Sequence, residues 1–336
     1  MKKILLLLVI PFLGFGQDLT YVPDDAFEVY LEENGLGDGV FFNDYVLTEN
    51  IVSITNLSMT NQNISDLTGL EDFINLESIY LMGNNLSTIN VSNNASLKSL
   101  WCGLNQITSI DVSNNALLEE LGLFGNQLDS INLENNPNLL ELVLNNNNLS
   151  NIDLSNNINI TSIGLDGNNL SNIDLSNNIN IVLLGLGNNN LTYVDLASNN
   201  NLSNIDLSGN NISSLDISNL DLITEIQCQN CNLTYLNLQN GNNVNFSFLA
   251  FQQNPGLNCV QVDDVSWANY YWEDYFDDNV IFELKCMENS SLIEKPNSSK
   301  KLVKNVDILG RETNNDKGFQ LHIYDDGSIE KKYVIK

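Results

Sequence analysis

Large apolar residues recur along the middle of the chain with a fixed period of 21 residues. The regular units begin at Leu76, Leu97, Leu118, Leu139, Ile160, Ile181, Leu202 and Ile223. Each unit has apolar residues at unit positions 1, 4, 6, 11, 14 and 16. A 22-residue unit from Ile54 precedes them and a looser unit near Phe246 follows, which makes about ten coils. A fixed period of this size is typical of repeat architectures, in which each unit buries its apolar face against its neighbours.

Two short segments of each unit show the alternation of a β-strand. Positions 4 and 6 do so in Ile79 and Leu81, and positions 14 and 16 do so in Ile89 and Val91. Neither strand has a partner inside its own unit, so each must pair with the equivalent strand of the next coil. The pattern predicts a parallel solenoid whose core consists of stacked Leu and Ile columns.

Asparagine occupies two further columns, each of which follows a strand. Position 9 is Asn84, Asn105, Asn126, Asn147, Asn168, Asn189 and Asn210 in successive units. Position 19 is Asn94, Asn115, Asn136, Asn157, Asn178 and Asn199. A turning backbone leaves amide groups that point into the solenoid, and a buried unpaired amide costs about 1–3 kcal/mol. Because an Asn side chain has two donor hydrogens and an acceptor, we expect both columns to be structural hydrogen-bond ladders.

These units resemble the leucine-rich repeat family, whose signature LxxLxLxxNxL is present as LESIYLMGNNL from Leu76 and LEELGLFGNQL from Leu118. The resemblance covers roughly residues 54–258 and implies a parallel β-solenoid with a concave strand face. The stretch IDLSNN from Ile152 repeats the strand-plus-asparagine element at a place where many family members have a helix. We therefore expect short convex strands rather than helices.

The segments that flank the repeats predict export and a cap at each end. Residues 1–16 have a basic start and an apolar stretch too short for a comfortable membrane span, which indicates a cleaved signal peptide. Residues 17–53, with a helix in DDAFEVYLEENG, are expected to form the N-terminal cap. Residues 259–286 are expected to form the C-terminal cap, closed by a disulfide between Cys259 and Cys286. We expect no integral membrane segment in the mature chain.

The end of the chain has a different character. Residues 287–301 form a polar linker, and residues 302–336 resemble the C-terminal sorting domains of the type IX secretion system of Bacteroidetes. The resemblance rests on the turn DILGRE with Asp307, Gly310 and Arg311, the turn DDG with Gly327, and KKYVIK ending at Lys336. It implies a small β-domain, recognition by the type IX machinery, and a final location that is secreted or on the cell surface. The alternative is a small β-domain of unrelated purpose.

The charge distribution excludes several classes of function. The chain has 13 Lys and Arg against 42 Asp and Glu, and Lys98 is the only basic residue between residues 4 and 284. Binding of nucleic acid is therefore excluded for the solenoid, because neutralising phosphates requires a cationic surface. Without His or Arg in that range, Ser-His and Cys-His catalytic arrangements are absent from it. Glu120 and Glu141 share a unit position on adjacent coils, but repeat spacing produces such pairs automatically. We expect no enzymatic activity.

The three remaining cysteines are expected to be buried small residues. Cys102 and Cys228 occupy position 6, where other units have Leu, and Cys231 replaces a ladder asparagine. The spacing of Cys228 and Cys231 also fits half of a metal site, but no second pair completes it. We expect neither a metal nor a cofactor.

Unit positions 3, 5, 7 and 8 flank the concave strand and are expected to face solvent. In the first regular units these positions include Tyr80, Met82, Trp101, Leu104, Phe124 and, on the strand itself, Glu120 and Glu141. An apolar cluster on an otherwise polar sheet predicts a recognition site for a protein or glycan ligand. The alternative interpretation is that these large side chains pack only on one another and bind no ligand. At position 15, Asp residues recur on the convex side, and we expect them to cap local backbone amides rather than bind Ca²⁺.

The expectation is a monomeric, non-enzymatic protein that serves adhesion or partner recognition at the cell surface, similar to internalin-like repeat proteins. Two alternatives stay open. One is a glycan-processing enzyme or accessory module, and the other is a purely structural surface component.

Overall fold

The computed structural model describes residues 18–286, 302–306, 318–324 and 329–334, which belong to two compact units divided after Cys286. The strands of the first unit are each three residues long. In chain order they are β1 (Leu19–Tyr21), β2 (Tyr45–Leu47), β3 (Asn56–Ser58), β4 (Ser78–Tyr80), β5 (Ser99–Trp101), β6 (Glu120–Gly122), β7 (Glu141–Val143), β8 (Ser162–Gly164), β9 (Leu183–Gly185), β10 (Asn204–Asp206), β11 (Ser214–Asp216), β12 (Glu225–Gln227), β13 (Tyr235–Asn237), β14 (Phe248–Ala250), β15 (Cys259–Gln261) and β16 (Ile281–Glu283). Its helices are α1 (Asp25–Glu33), α2 (Thr48–Ile51) and α3 (Val265–Tyr271), with 3₁₀ turns at Leu70–Asp72, Asn243–Asn245 and Glu273–Tyr275.

Ten of these strands form one parallel sheet along the concave side, in the order β3 to β10, then β12 and β14. Each residue pairs with the residue at the same unit position one coil further on, so Ile79 lies opposite Leu100, and Leu100 opposite Leu121. The middle residue of every strand points inwards and is buried in the Leu and Ile core. The predicted parallel solenoid is confirmed.

Both asparagine columns are buried, and their side-chain amides donate to backbone carbonyls. At position 9, Asn105 Nδ2 donates to Leu81 O of the preceding coil and to Cys102 O of its own coil. Its Oδ1 accepts from Leu86 N of the preceding coil at 3.0 Å. At position 19, by contrast, Asn115 Nδ2 donates to Val91 O and Asn94 O, which both belong to the preceding coil. The Oδ1 atoms of the position-19 column accept no hydrogen bond from the described residues.

The convex strands occur only at the C-terminal end of the described solenoid, where β11, β13, β15 and β16 form a second parallel sheet. The expectation of convex strands in the regular coils before them was wrong. In those coils the side-chain amide at position 19 donates a hydrogen bond to the position-16 carbonyl of the preceding coil, as Asn157 Nδ2 does to Leu133 O. Between the coils of β11 and β13, position 19 of the second coil is Gly241, which has no side-chain amide, and the backbones pair instead, with Ile217 N donating to Asn237 O at 3.0 Å.

The N-terminal cap is built on α1. The Asp24 side chain accepts from the N–H groups of Ala26 and Phe27 and so caps the helix. It also accepts from Ser65 N, which ties the helix to the first coil. Phe27 stacks on Phe73 at a centroid distance of 6.2 Å, so the apolar face of the helix covers the end of the core.

The C-terminal cap contains the disulfide between Cys259 and Cys286, with Cα atoms 5.8 Å apart. Trp272, which follows α3, is buried among Phe276 and Phe282. Phe276 also stacks on Phe251 of the last regular part of the solenoid at 5.1 Å. This aromatic cluster covers the last coil.

The second unit is a three-stranded antiparallel sheet of β17 (Leu302–Val306), β18 (Gly318–Tyr324) and β19 (Ile329–Val334), with β18 in the centre. The predicted sorting residues Asp307, Gly310, Arg311, Gly327 and Lys336 lie outside the described residues, as do the predicted signal peptide 1–16 and the linker 287–301. In the part of the chain that the structure describes, no helix is long and apolar enough to cross a membrane.

Candidate recognition surface

The N-terminal part of the concave face carries five large apolar side chains. Tyr80, Met82, Trp101 and Phe124 are partly exposed, and the Leu104 side chain is 59% exposed. They come from three neighbouring coils, because Tyr80 of β4 lies opposite Trp101 of β5 in the parallel register. We call these five residues the apolar patch.

The two rings nearest the centre of the apolar patch lie on glycines of a neighbouring coil. A methyl group added at Gly122 would overlap three atoms of the Trp101 ring, and one added at Gly103 would overlap three atoms of the Phe124 ring. Both rings therefore lie directly over a glycine of the adjacent coil, and both side chains stay partly exposed to solvent.

Leu104 follows the same arrangement, since a methyl group at Gly125 would lie 2.9 Å from Leu104 Cδ2. Ser99, Gly103 and Gly122 beneath the apolar patch are buried, and so is Gly187 beside Asp166 and Asp206. The expectation that all residues at positions 3, 5 and 7 face solvent was wrong at these four residues of the regular coils, because side chains of neighbouring coils cover them.

Glu120 lies beside the apolar patch and is hydrogen-bonded to it. Its Oε2 accepts from Trp101 Nε1 at 3.2 Å and from Ser99 Oγ at 2.9 Å. Glu141 lies opposite Glu120 in the sheet. Because the Glu120 carboxylate is bonded to the preceding coil, it fixes the orientation of the indole.

The C-terminal part of the concave face is open and acidic. Asp166 Oδ1 accepts from Gly187 N at 2.7 Å, and its Oδ2 accepts from Asn145 Nδ2 at 3.0 Å. A methyl group at Gly187 would lie 3.0 Å from Asp166 Oδ1 and 3.3 Å from Asp206 Oδ2, so two carboxylates flank the space above this glycine. Burial raises the pKa of the Asp166 carboxyl, and the charge of Asp206 raises it further. A cation above Gly187 would favour the ionised form of Asp166 and so oppose this rise in pKa.

All charged side chains at positions 3, 5 and 7 of the described repeats are acidic. They are Glu120, Glu141, Asp166, Asp206 and Glu225. Lys98 lies at position 2 and pairs with Glu77 at 2.8 Å in an exposed contact. On the concave strand face of the described repeats, these carboxylates therefore have no basic side chain of the same face to pair with.

The convex Asp row is a set of local caps, as predicted. The Oδ1 atoms of Asp111, Asp153, Asp174, Asp195 and Asp216 each accept from the backbone N–H two residues further on, at 2.9–3.0 Å. Hydrogen bonds from Ser155 lower the pKa of Asp153, and hydrogen bonds from Ser176 lower that of Asp174.

Other groups with potential chemistry lie away from this face. Cys102, Cys228 and Cys231 are buried thiols, and Cys231 Sγ donates to Leu207 O at 3.1 Å in the place of a ladder asparagine. Burial raises the pKa of the Cys102 thiol well above its usual range, so its nucleophilic thiolate form is disfavoured. The sequence reasoning missed a group formed by Asp25, Glu28 and Asp44, whose carboxylate oxygens lie within 4.8 Å of one another. Residues 43 and 44 already donate their backbone N–H groups to the Glu28 carboxylate.

No protein-family model matches the chain, and no curated protein matches it in sequence. Among solved structures, an internalin, InlF, of Listeria monocytogenes is 22% identical, with a TM-score of 0.50 over 80% of this chain and 78% of that one. The functional domain of InlJ from the same species, described as including a cysteine ladder, is 21% identical, with a TM-score of 0.48 over 79% and 70% of the two chains. A leucine-rich repeat protein of Leptospira interrogans is 16% identical, with a TM-score of 0.47 over 64% and 63%.

At these identities the likeness concerns the fold alone. The period of 21 residues, the parallel concave sheet and the likeness to InlF agree. The chain adopts a parallel β-solenoid of leucine-rich repeat type.

Proposed function

We propose that the concave face binds a protein segment that carries both apolar and basic side chains, and that the apolar patch anchors it. The observation that carries this proposal is the placement of a rigid apolar patch on a strand face whose charges are all negative. The chain is then a non-enzymatic recognition protein, displayed outside the cell.

The construction of the apolar patch favours anchoring. The Trp101 and Phe124 rings rest on glycines, and the indole N–H is held by Glu120, so binding would immobilise few side chains that were free before. Full burial of one large apolar side chain contributes about 1.5–3 kcal/mol. Partly exposed aromatic and aliphatic residues at the centre of a surface are typical anchors of protein interfaces.

The charges favour a basic partner. A Lys or Arg side chain placed above Gly187 would meet carboxylates of Asp166 and Asp206 on both sides. Trp101 and Asp206 lie on β5 and β10, five strand spacings apart in the sheet, or about 24 Å. An extended segment of about seven residues spans this distance. A neutral glycan could stack on the rings and donate hydroxyl hydrogen bonds to the carboxylates, but it would bring no positive charge to balance theirs.

Selection of random twelve-residue peptides on the immobilised full chain tests this proposal. We expect selected peptides to combine Lys or Arg with Leu, Phe or Trp, and to bind more weakly as NaCl rises. Phe124→Ala should weaken a selected peptide about tenfold or more. Phe248→Ala removes an exposed ring at the far end of the same sheet and should have little effect. Binding of defined oligosaccharides in place of peptides, or peptide binding indifferent to Phe124→Ala, would contradict the proposal.

Display outside the cell is supported by the Cys259–Cys286 disulfide, because such bonds persist mainly in oxidising compartments. The proposed route is the signal peptide at residues 1–16 followed by the type IX machinery acting on residues 302–336. Removal of residues 302–336 should leave a folded protein in the periplasm. Normal amounts of the truncated protein at the cell surface or in the medium would refute this route.

A further inference from the structure

Position 8 of every regular coil has a left-handed backbone conformation. It lies between the concave strand and the ladder asparagine, where the chain turns. The residues and φ angles are Gly83 (70°), Leu104 (56°), Gly125 (64°), Asn146 (56°), Gly167 (67°), Asn188 (52°), Gly209 (68°) and Asn230 (53°). Glycine adopts this conformation freely and asparagine tolerates it, whereas a larger side chain clashes with the following carbonyl. Among these eight coils, Leu104 is the exception.

Burial in the core does not explain the leucine at this position. Leu104 is 59% exposed, and its Cδ2 lies over Gly125 of the next coil, where an added Cβ would be 2.9 Å away. The position lies next to the Phe124 ring, which covers Gly103, so Leu104 extends the exposed apolar surface of the apolar patch. Glycine or asparagine would satisfy the turn here as they do in the seven other coils.

We propose that Leu104 is a specificity-determining anchor, held in an unfavourable backbone conformation because the ligand buries its side chain. This inference rests on the proposed function of the concave face. Strained residues that persist without a packing reason cluster at functional sites. The free protein is destabilised by the leucine, and the complex recovers this loss when the exposed side chain is removed from water.

Three variants of the full chain separate the backbone conformation from the side chain. Leu104→Asn installs the residue that three other coils use, so we expect a melting temperature higher by about 2 °C. The same variant should bind a peptide selected on the unaltered chain about tenfold more weakly. Leu104→Ala keeps a side chain that is disfavoured here, so it should lose affinity without a comparable rise in melting temperature. Asn230→Leu is the matched control, because Asn230 has the same left-handed conformation (φ 53°) and lies beyond β10, outside the proposed Trp101–Asp206 span. It should lower the melting temperature while leaving the affinity unchanged.

The outcomes distinguish this inference from the proposal beneath it. If Leu104→Asn lowers the melting temperature and leaves the affinity unchanged, Leu104 is a structural residue and the inference is overturned. If Phe124→Ala weakens the peptide and Leu104→Asn does not, the inference fails while the proposed function stands. If neither variant weakens the peptide, or no peptide can be selected, both fail together.

Discussion

Replacing Asn147 with alanine removes three hydrogen bonds that join two coils in the middle of the solenoid. Asn147 Nδ2 donates to Leu123 O in the preceding coil and to Leu144 O in its own coil, each at 3.0 Å. Its Oδ1 accepts from Leu128 N at 3.0 Å. The residue is 6% exposed, so water has little access to the groups that the change leaves behind.

The three backbone partners do not depend equally on Asn147. Both carbonyls also accept from a second ladder asparagine, one in the coil before and one in the coil after, so both stay paired. The Leu128 N–H loses the acceptor that it uses. One orphaned buried N–H costs about 1–3 kcal/mol, and we expect Asn147→Ala to lower the free energy of unfolding by this amount.

Urea unfolding of the full chain, followed by circular dichroism, measures this loss. Asn148→Ala is the matched control, because Asn148 is exposed and its backbone N–H keeps its bond to Leu128 O after the change. We expect a clearly lower midpoint for Asn147→Ala and an unchanged midpoint for Asn148→Ala. Equal midpoints for the two variants would refute the assignment of the position-9 column as a structural ladder.

The second column provides a further comparison within the same prediction. Asn157 Nδ2 donates to Leu133 O and Asn136 O, and each of these carbonyls also accepts a backbone N–H. Its Oδ1 accepts nothing from the described residues. Since Asn157→Ala orphans no backbone group, it should cost less than Asn147→Ala, although Asn157 is the more buried residue.

Three other changes test the electrostatics and the C-terminal cap. Asp174→Asn keeps the Oδ1 acceptor of the local cap but removes the charge that the Ser176 hydrogen bonds favour, so it should lower the melting temperature slightly at pH 7, with a difference that disappears in acid, where Asp174 is protonated. Because burial raises the folded-state pKa of Asp166, its ionised form is a stability cost above that pKa. Asp166→Asn should therefore raise the urea midpoint at pH 7, and the advantage should vanish as the pH falls and Asp166 becomes protonated. Replacing Cys259 and Cys286 with serine opens a 27-residue loop and should cost about 3 kcal/mol in unfolding experiments.

The architecture of the concave side could be predicted from the sequence because each coil needs to match only its neighbours. A constant period places Ile79, Leu100 and Leu121 in one column, and no long-range pairing has to be guessed. The same period places the asparagines in columns. Because an Asn side chain both donates and accepts hydrogen bonds, it can pair with the backbone groups of stacked turns. The convex side was less predictable, since Gly241 replaces the position-19 asparagine at the junction where β11 and β13 pair through their backbones.

The details of the candidate site depend on side-chain conformations that periodicity does not determine. The sequence places Trp101 and Gly122 at position 5 of adjacent coils, but only the rotamer of the indole decides whether it covers that glycine. For Leu104 a signal was present. Position 8 is glycine or asparagine in the other seven regular coils, a composition typical of a left-handed turn residue.

Photo-crosslinking tests the central proposal, recognition through the apolar patch, most directly. Two tyrosines form a matched pair: Tyr80 lies in the apolar patch, and Tyr193 is 64% exposed and lies outside the concave strands. Each is replaced in turn by p-benzoylphenylalanine in the full chain, which is irradiated with a peptide selected on the unaltered protein. We expect a strong crosslink from position 80 that excess free peptide suppresses, and little from position 193. Equal crosslinking at the two positions, or crosslinking at 193 alone, would contradict recognition by the apolar patch.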